Sequence, residues 1–290
     1  MKVIRVATRG SKLALKQAYM AIDHLKQYLN DTEFEIKIIK THGDKDQINA
    51  LYNMNSNGLF VKDIEEALLH NEADIAIHSL KDVSSNIANG LMLLPFTIFE
   101  DRRDCLITKN NQTLKDIKLH GVIATSSVRR MACIKRIRPD LKFVNVRGNI
   151  DTRINKFMNS DYDGIILASA GLKRLELDSY ISEYLDPKEI IPACGQGTIA
   201  IEIKEKDKYL YNELFEVSDI RQKEVGIERE FLKLSNSDCH SPIGCYCKIN
   251  GDKIGVYALK GNTVDDCKFT QDEFDINEVN IAEKMLRKLG

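Results

Sequence analysis

From residue 3 to residue 168 the chain keeps switching between two periods, and that switching most restricts its architecture. Residues 3–8 read as a strand, and Ala14, Ala18, Ile22, Leu25 and Leu29 then recur at the spacing of one helix face. Residues 34–40 return to a strand, 59–69 to a helix and 74–78 to a strand. A second series has strands at 105–108 and 122–125, a helix at 128–137 closed by Pro139, a strand at 143–146, a helix at 150–158 and an apolar strand at 164–168. Strands alternating with helices predict α/β architecture with mainly parallel sheets covered on both faces. Two series predict two lobes. Beyond Pro187 and Pro192 the pattern changes to a long helix over 220–234, strands at 245–249 and 253–259 joined by Asn250-Gly251-Asp252, and a helix over 279–289. That is a smaller α+β C-terminal domain.

Composition narrows the function. The 42 Lys and Arg against 43 Asp and Glu give a net charge of −1, so no global field suits nucleic acid or a membrane surface, and any anion site is local. Seven cysteines at irregular spacing are unlike a secreted disulfide framework. The first residues lack an apolar leader, and no run reaches the about 18 apolar residues of a membrane span. These features predict a cytoplasmic protein with thiol cysteines, bound to neither nucleic acid nor membrane.

Three strand-to-helix turns carry arginine where it is least expected. Arg9 with Ser11, Arg129 and Arg130 after Ser127, and Arg147 with Arg153 all lie at or near helix starts, where positive charge opposes the macrodipole unless an anion offsets it. Their recurrence predicts a polyanionic ligand gripped by guanidiniums, with Arg174 available to join them. The segment Ser79-Leu80-Lys81-Asp82 follows an apolar strand, at the end where open α/β sheets hold ligands. Cys239 differs from the other cysteines because it sits in a polar loop, Ser237 to Gly244, where a thiol is accessible enough to react. The residues alone leave open a receptor for an acidic ligand and an enzyme using Cys239 with His240. A metal held by Cys239, His240, Cys245 and Cys247 is a weaker reading, because the CxC pair lacks the paired spacing of structural zinc.

Eight stretches in order along nearly the whole chain resemble the porphobilinogen deaminase (hydroxymethylbilane synthase) family. They are ATRGSKLAL at 7–15, GLFVKDIE at 58–65, ADIAIHSLKDV at 73–83, ATSSVRR at 124–130, VRGNIDTR at 146–153, DGIILASAGLKRL at 163–175, IPACGQGTIAIE at 191–202 and DCHSPIG at 238–244. The resemblance implies a dipyrromethane cofactor in thioether linkage to Cys239, and stepwise addition of four porphobilinogen units to its free end. Each addition loses ammonia to give an electrophilic azafulvene, and the completed chain leaves as hydroxymethylbilane.

Residue roles follow from the same resemblance. Asp82 is expected to lie over the pyrrole nitrogens and assist proton transfer. Ser79, Lys81, Asp82, Ser127, Arg129, Arg130, Arg147 and Arg153 are expected at the cofactor. Arg9, Ser11, Gln17, Phe60, Arg147, Arg153 and Arg174 are expected at the substrate, Phe60 as an aromatic lid. No metal is implied, and the protein is expected to be a monomer. The implied fold has two periplasmic-binding-protein-like (type II) lobes, 1–97 with 198–215 and 103–191, hinged near Gly195-Gln196-Gly197. A third domain at 219–290 carries the cofactor cysteine. Ser84 and Arg102 stand where the family commonly has proline, and Asn55-Ser56-Asn57 replaces a glycine-richer run.

Overall fold

Ile4 and Val6 on one face of β1 (Lys2–Thr8), and Ala7 on the other, are all buried, so the first strand is covered on both sides. The computed structural model, which describes residues 2–40, 61–237 and 241–290, shows what covers it. Helix α1 (Lys12–Leu25) contributes Ala18, Ala21, Ile22 and Leu25 to the core that holds Ile4 and Val6. β2 (Thr32–Ile38) and α2 (Lys62–Leu69) follow in sequence, and on the opposite face Ile64 and Leu68 of α2 share a core with Ala7. Both β2 and β3 (Ile75–Ser79) pair with β1 in parallel. β3 is buried from Ile75 to His78, whereas β2, at the sheet edge, alternates Phe34 and Ile36 with Glu33, Glu35 and Lys37. Charge on an edge strand discourages pairing with another chain.

After β4 (Leu91–Leu93) and β5 (Ile98–Phe99) the chain leaves this first unit, Met1–Glu100 with Thr198–Gln222, and builds a second, Asp101–Gly197 with Lys223–Gly290. There β6 (Asp104–Ile107), β7 (Val122–Ala124), β8 (Lys142–Val144), β9 (Gly164–Ala168) and β10 (Glu183–Tyr184) form a sheet in the order β10-β6-β9-β7-β8. Strands β8, β7 and β9 are parallel, while β6 and β10 pair antiparallel. Helices α3 (Val128–Ile137), α4 (Ile150–Met158) and α5 (Ser169–Arg174) follow β7, β8 and β9 respectively. Their N-termini therefore stand at the carboxyl ends of three parallel strands.

The chain returns as β11 (Thr198–Lys204), antiparallel between β3 on one side and β4 and β5 on the other. All seven of its residues are buried. Sequence reading places the return near Gly195 but does not anticipate this strand, although Ile199, Ile201 and Ile203 alternate as a strand requires. Glu202 makes the run look half-exposed; it is buried because His78 meets it across the sheet. This order, with parallel strands and one antiparallel return, is that of a type II periplasmic-binding-protein-like lobe.

Beyond α6 (Asn212–Phe215), α7 (Ile220–Ser235) leads to an antiparallel sheet of β12 (Ile243–Asn250), β13 (Lys253–Lys260) and β14 (Lys268–Asp275). Gly251 takes φ +61° at the β12–β13 turn, as that tight hairpin requires. The last helix, α8 (Ile281–Leu289), buries Ile281, Ala282, Met285 and Leu289 in the core formed with Ile254, Val256 and Ala258. Among the described residues no helix is long and apolar enough to cross a membrane.

Candidate active site

In the first unit the parallel neighbours β1 and β3 end side by side, with Ala7 registered against Ala76. Their carboxyl ends carry Arg9 to Ser11 and Ser79 to Asp82 on one edge of the sheet. Ser11 has the extended backbone of an N-cap, and its hydroxyl accepts the Ala14 N–H at 3.2 Å. Gln17 lies on the buried side of α1 at 4% exposure, where a polar amide needs partners. Its Nε2 donates to Ser79 Oγ at 2.9 Å, which ties α1 to the end of β3. A short 3₁₀ turn over Leu80–Asp82 then buries Leu80, half-buries Lys81 and leaves Asp82 exposed. Arg9 is half-buried. Directly behind Ser79, His78 Nε2 lies 3.0 Å from Glu202 Oε2, both side chains buried. This pair anchors β3 to β11 at the residue before the candidate site.

The second unit repeats the arrangement at the ends of β7, β8 and β9. Ser127 caps α3 by accepting the Arg130 N–H at 3.4 Å. Ser126 Oγ donates to Val146 O at 2.9 Å and accepts Val146 N–H at 3.0 Å, joining the turns after β7 and β8. Gly148 takes φ +117°, and a Cβ there would approach Thr152 to 3.0 Å. That backbone turns its carbonyl toward Arg153, whose Nε donates to Gly148 O at 2.6 Å. Arg147 is exposed and Arg153 half-buried. Arg174, at the end of α5, is 5% exposed and donates from Nη2 to Gly197 O.

Arg129 and Arg130 are buried, and a residue that sequence reasoning missed explains why. Asp104, the first residue of β6, is fully buried between them. Arg130 donates from Nε and Nη2 to Asp104 Oδ1 and from Nη1 to Ile166 O at 3.0 Å, while Arg129 Nη1 lies 2.8 Å from Asp104 Oδ2. Gln196 Nε2 also donates to Asp104 Oδ1, at 3.0 Å. Burial alone would raise the Asp104 carboxyl, but the two guanidiniums outweigh it and hold it well below the usual carboxylate range. The macrodipole conflict at the start of α3 is thus met in part by the protein's own carboxylate. Two guanidiniums against one carboxylate still leave a net positive charge at the helix start.

Six of the seven cysteines lie among the described residues, all as free thiols: Cys105, Cys133, Cys194, Cys245 and Cys247 are buried and Cys267 half-buried. Burial pushes Cys105 and Cys267 up to about 12 and Cys133 to about 11, and raises Cys194, Cys245 and Cys247 as well. None of the six is a ready thiolate. Cys239 and Phe60 lie outside the described residues, as does Asn55-Ser56-Asn57. The chain that follows Cys239 is placed, however: a Cβ on Gly244 would come within 3.0 Å of Arg129 Cδ and 2.7 Å of Pro192 O. Only glycine lets the start of β12 pass this close to the buried arginine. Among the described residues no group of His, Cys, Asp and Glu is placed to hold a metal.

Comparison with known proteins bears on these donors. Residues 4–212 match the family described as porphobilinogen deaminase, dipyromethane cofactor binding domain. The chain is 44% identical over 268 residues to the porphobilinogen deaminase of Lachnospira eligens, covering 91% of this chain and 90% of that one. It is 44% identical to that of Oceanobacillus iheyensis, covering 90% and 85%. For that of Clostridium botulinum strain Kyoto the identity is 40%, covering 97% and 98%. Among solved structures it is similar in outline to a YaeC-family lipoprotein of Enterococcus faecalis, with TM-score 0.47, 13% identity and coverage of 78% and 98%.

Proposed function

The chain belongs to the porphobilinogen deaminase family, and on that premise we propose that Cys239 anchors its primer and Asp82 is the carboxylate at which successive pyrroles are joined. The activity is that of a transferase, hydroxymethylbilane synthase, acting on porphobilinogen with a dipyrromethane cofactor. When bound, that cofactor supplies a nucleophilic pyrrole carbon on a covalent tether.

One observation carries the assignment of residues: in each unit hydroxyl and guanidinium side chains, Arg9, Ser11 and Ser79 in the first and Ser127, Arg129, Arg147 and Arg153 in the second, follow the carboxyl ends of parallel strands. The donor set fits a ligand whose every ring bears two carboxylates. We assign Ser79, Lys81, Ser127, Arg129 and Arg130 to the primer's carboxylates, with Arg147 and Arg153 serving primer and substrate in turn. Arg9, Ser11, Gln17 and Arg174 receive the substrate's acid chains, and Phe60 covers a ring. The positive charge left after Arg129 and Arg130 share Asp104 suits such a carboxylate. Gly244, packed on Arg129, brings the chain following Cys239 to this donor group.

Asp82 is exposed at the end of β3, on a turn braced by the Gln17–Ser79 bond and the His78–Glu202 pair. From there its carboxylate accepts a pyrrole N–H, stabilises positive charge developing on the ring and exchanges the proton released on coupling. Guanidiniums that grip the acid chains hold the ring in register, so orientation is provided before reaction. We also place the protein in the cytoplasm, a reducing compartment that suits the six free thiols among the described residues. A monomer suffices, since one chain supplies Cys239, Asp82 and both donor sets.

Intact-protein mass tests the assignment. Purified protein should carry an adduct that survives reductant, gives a pyrrole colour with Ehrlich's reagent and is missing in Cys239→Ser. Asp82→Asn should keep the adduct and bind porphobilinogen while turnover is nearly abolished. An adduct on Cys239→Ser, or turnover in Asp82→Asn, overturns the corresponding role.

A further inference from the structure

Helix α7 and strand β12 meet through two carboxylates. Glu224 and Glu228 lie one turn apart on the buried face of α7, while Cys247 and Ile249 are two residues apart on β12. Glu224 Oε1 accepts the Ile249 N–H at 2.7 Å, and Glu228 Oε1 accepts the Cys247 N–H at 3.1 Å. The spacings agree, because four helical residues rise about 6 Å and two strand residues span roughly 6.7 Å. β12 pairs with β13 along one edge, so the two glutamates satisfy successive N–H groups along the other.

Arg102 supplies the counter-charge. Its Nη2 donates to Glu224 Oε2 at 2.7 Å and its Nη1 to Glu228 Oε1 at 3.0 Å, with the guanidinium 4.6 Å from the centre of the Tyr246 ring. Lys248 Nζ, at the strand's exposed side, lies 3.8 Å from Glu224. The Gly195 N–H donates to Glu228 Oε2 at 2.8 Å, and Gln196 Nε2 donates to Arg102 O at 2.8 Å. Arg102 is 12% exposed and the glutamates essentially not at all. Burial pushes the Glu228 carboxyl up to about 7, against the pull of Arg102 and of the Gly195 and Cys247 N–H groups. Without Arg102 that carboxylate would face the interior with no guanidinium opposite it.

These groups belong neither to the primer nor to the substrate assignment. What they hold together is the pair of elements that bracket Cys239: α7 ends at Ser235 and β12 begins at Ile243. We propose that Arg102, Glu224 and Glu228 are positioning residues for the primer-bearing cysteine. By clamping α7 to β12 at Glu228 and Cys247, seven residues before the helix ends and four after the strand begins, and both to the chain at Arg102 and Gly195, they hold the elements on either side of Cys239 in one fixed relation. The inference rests on Cys239 being the attachment point.

Arg102→Met tests it by removing the charge while keeping an unbranched side chain. Unloaded protein is incubated with porphobilinogen, and mass gain at Cys239 is followed alongside hydrogen exchange over residues 241–249 and the unfolding midpoint. Breaking a buried ion cluster should speed that exchange about tenfold or more and slow mass gain by a similar factor in protein that is still folded. Arg102→Lys, a point charge unable to bridge both carboxylates, should fall between. If Arg102→Met does not fold, Glu228→Gln is read the same way. A lowered midpoint with wild-type exchange in the folded state and wild-type mass gain means the cluster is merely structural, and the proposal fails. Should the unsubstituted protein gain no mass at Cys239, the attachment assignment falls instead, while the exchange comparison still judges the clamp.

Discussion

Arg130 donates through both Nε and Nη2 to a single oxygen of Asp104, at 3.1 and 2.7 Å, and both residues are buried. With Arg129 at the other oxygen, one carboxylate sets the direction of two guanidiniums at the start of α3. A pair of arginines held this way is pre-aimed before any ligand arrives.

Replacing Asp104 with asparagine leaves two buried cations opposite a neutral amide. The expected cost is about 3–5 kcal/mol of unfolding free energy, measured by urea denaturation. Primer loading should fall in the same variant, as read by intact mass. A loss under about 1 kcal/mol would mean that the arginines find other acceptors.

Asp104 also gives the protein an acid limit. Its folded-state pKa lies below the usual value of 3.8, so the stability it contributes is fully present above 3.8 and is lost as pH falls through the folded value. Unfolding free energies of the wild type and Asp104→Asn should therefore differ by a constant amount near neutrality and draw together below that pH. A gap independent of pH down to the acid transition contradicts this source of stability.

Gly244→Ala places a methyl 2.7 Å from Pro192 O and 3.0 Å from Arg129 Cδ. The start of β12 must then shift, at an expected cost of about 1–3 kcal/mol. Because the displaced partner is Arg129, primer loading should slow even where the folded protein is recovered. A variant with an unchanged melting temperature and unchanged loading would show that the contact is slack.

Thiol accessibility is expected to separate Cys239 from the rest. The six described cysteines are buried or half-buried, with thiols raised well above neutral pH. Brief iodoacetamide treatment of native protein lacking its adduct should label Cys239 first, and loaded protein should resist labelling there. Labelling is read by peptide mass. Preferential modification of Cys245 or Cys247 would contradict the burial described here.

Much of the fold was legible because periodicity is local. Ala18, Ile22 and Leu25 mark the buried face of α1, and Pro139 follows the end of α3, within the reach of neighbouring residues. β11 was the exception: Glu202 in a strand-like run reads as solvent-facing until its partner, 124 residues away, is known. The two glutamates on the apolar face of α7 were visible as an irregularity, since Glu224, Glu228 and Phe231 share one stripe, but nothing nearby named their cation. Asp104 gave no signal at all.

By itself the sequence determined the succession of strands and helices and the arginines at their junctions, because each depends on the composition of a few adjacent residues. Only the tertiary structure decided which charges meet. Asp104 with Arg130 and Arg102 with Glu228 are joined across 26 and 126 residues. Ion pairing depends on distance in space and on exclusion of water, and the packed chain alone sets both.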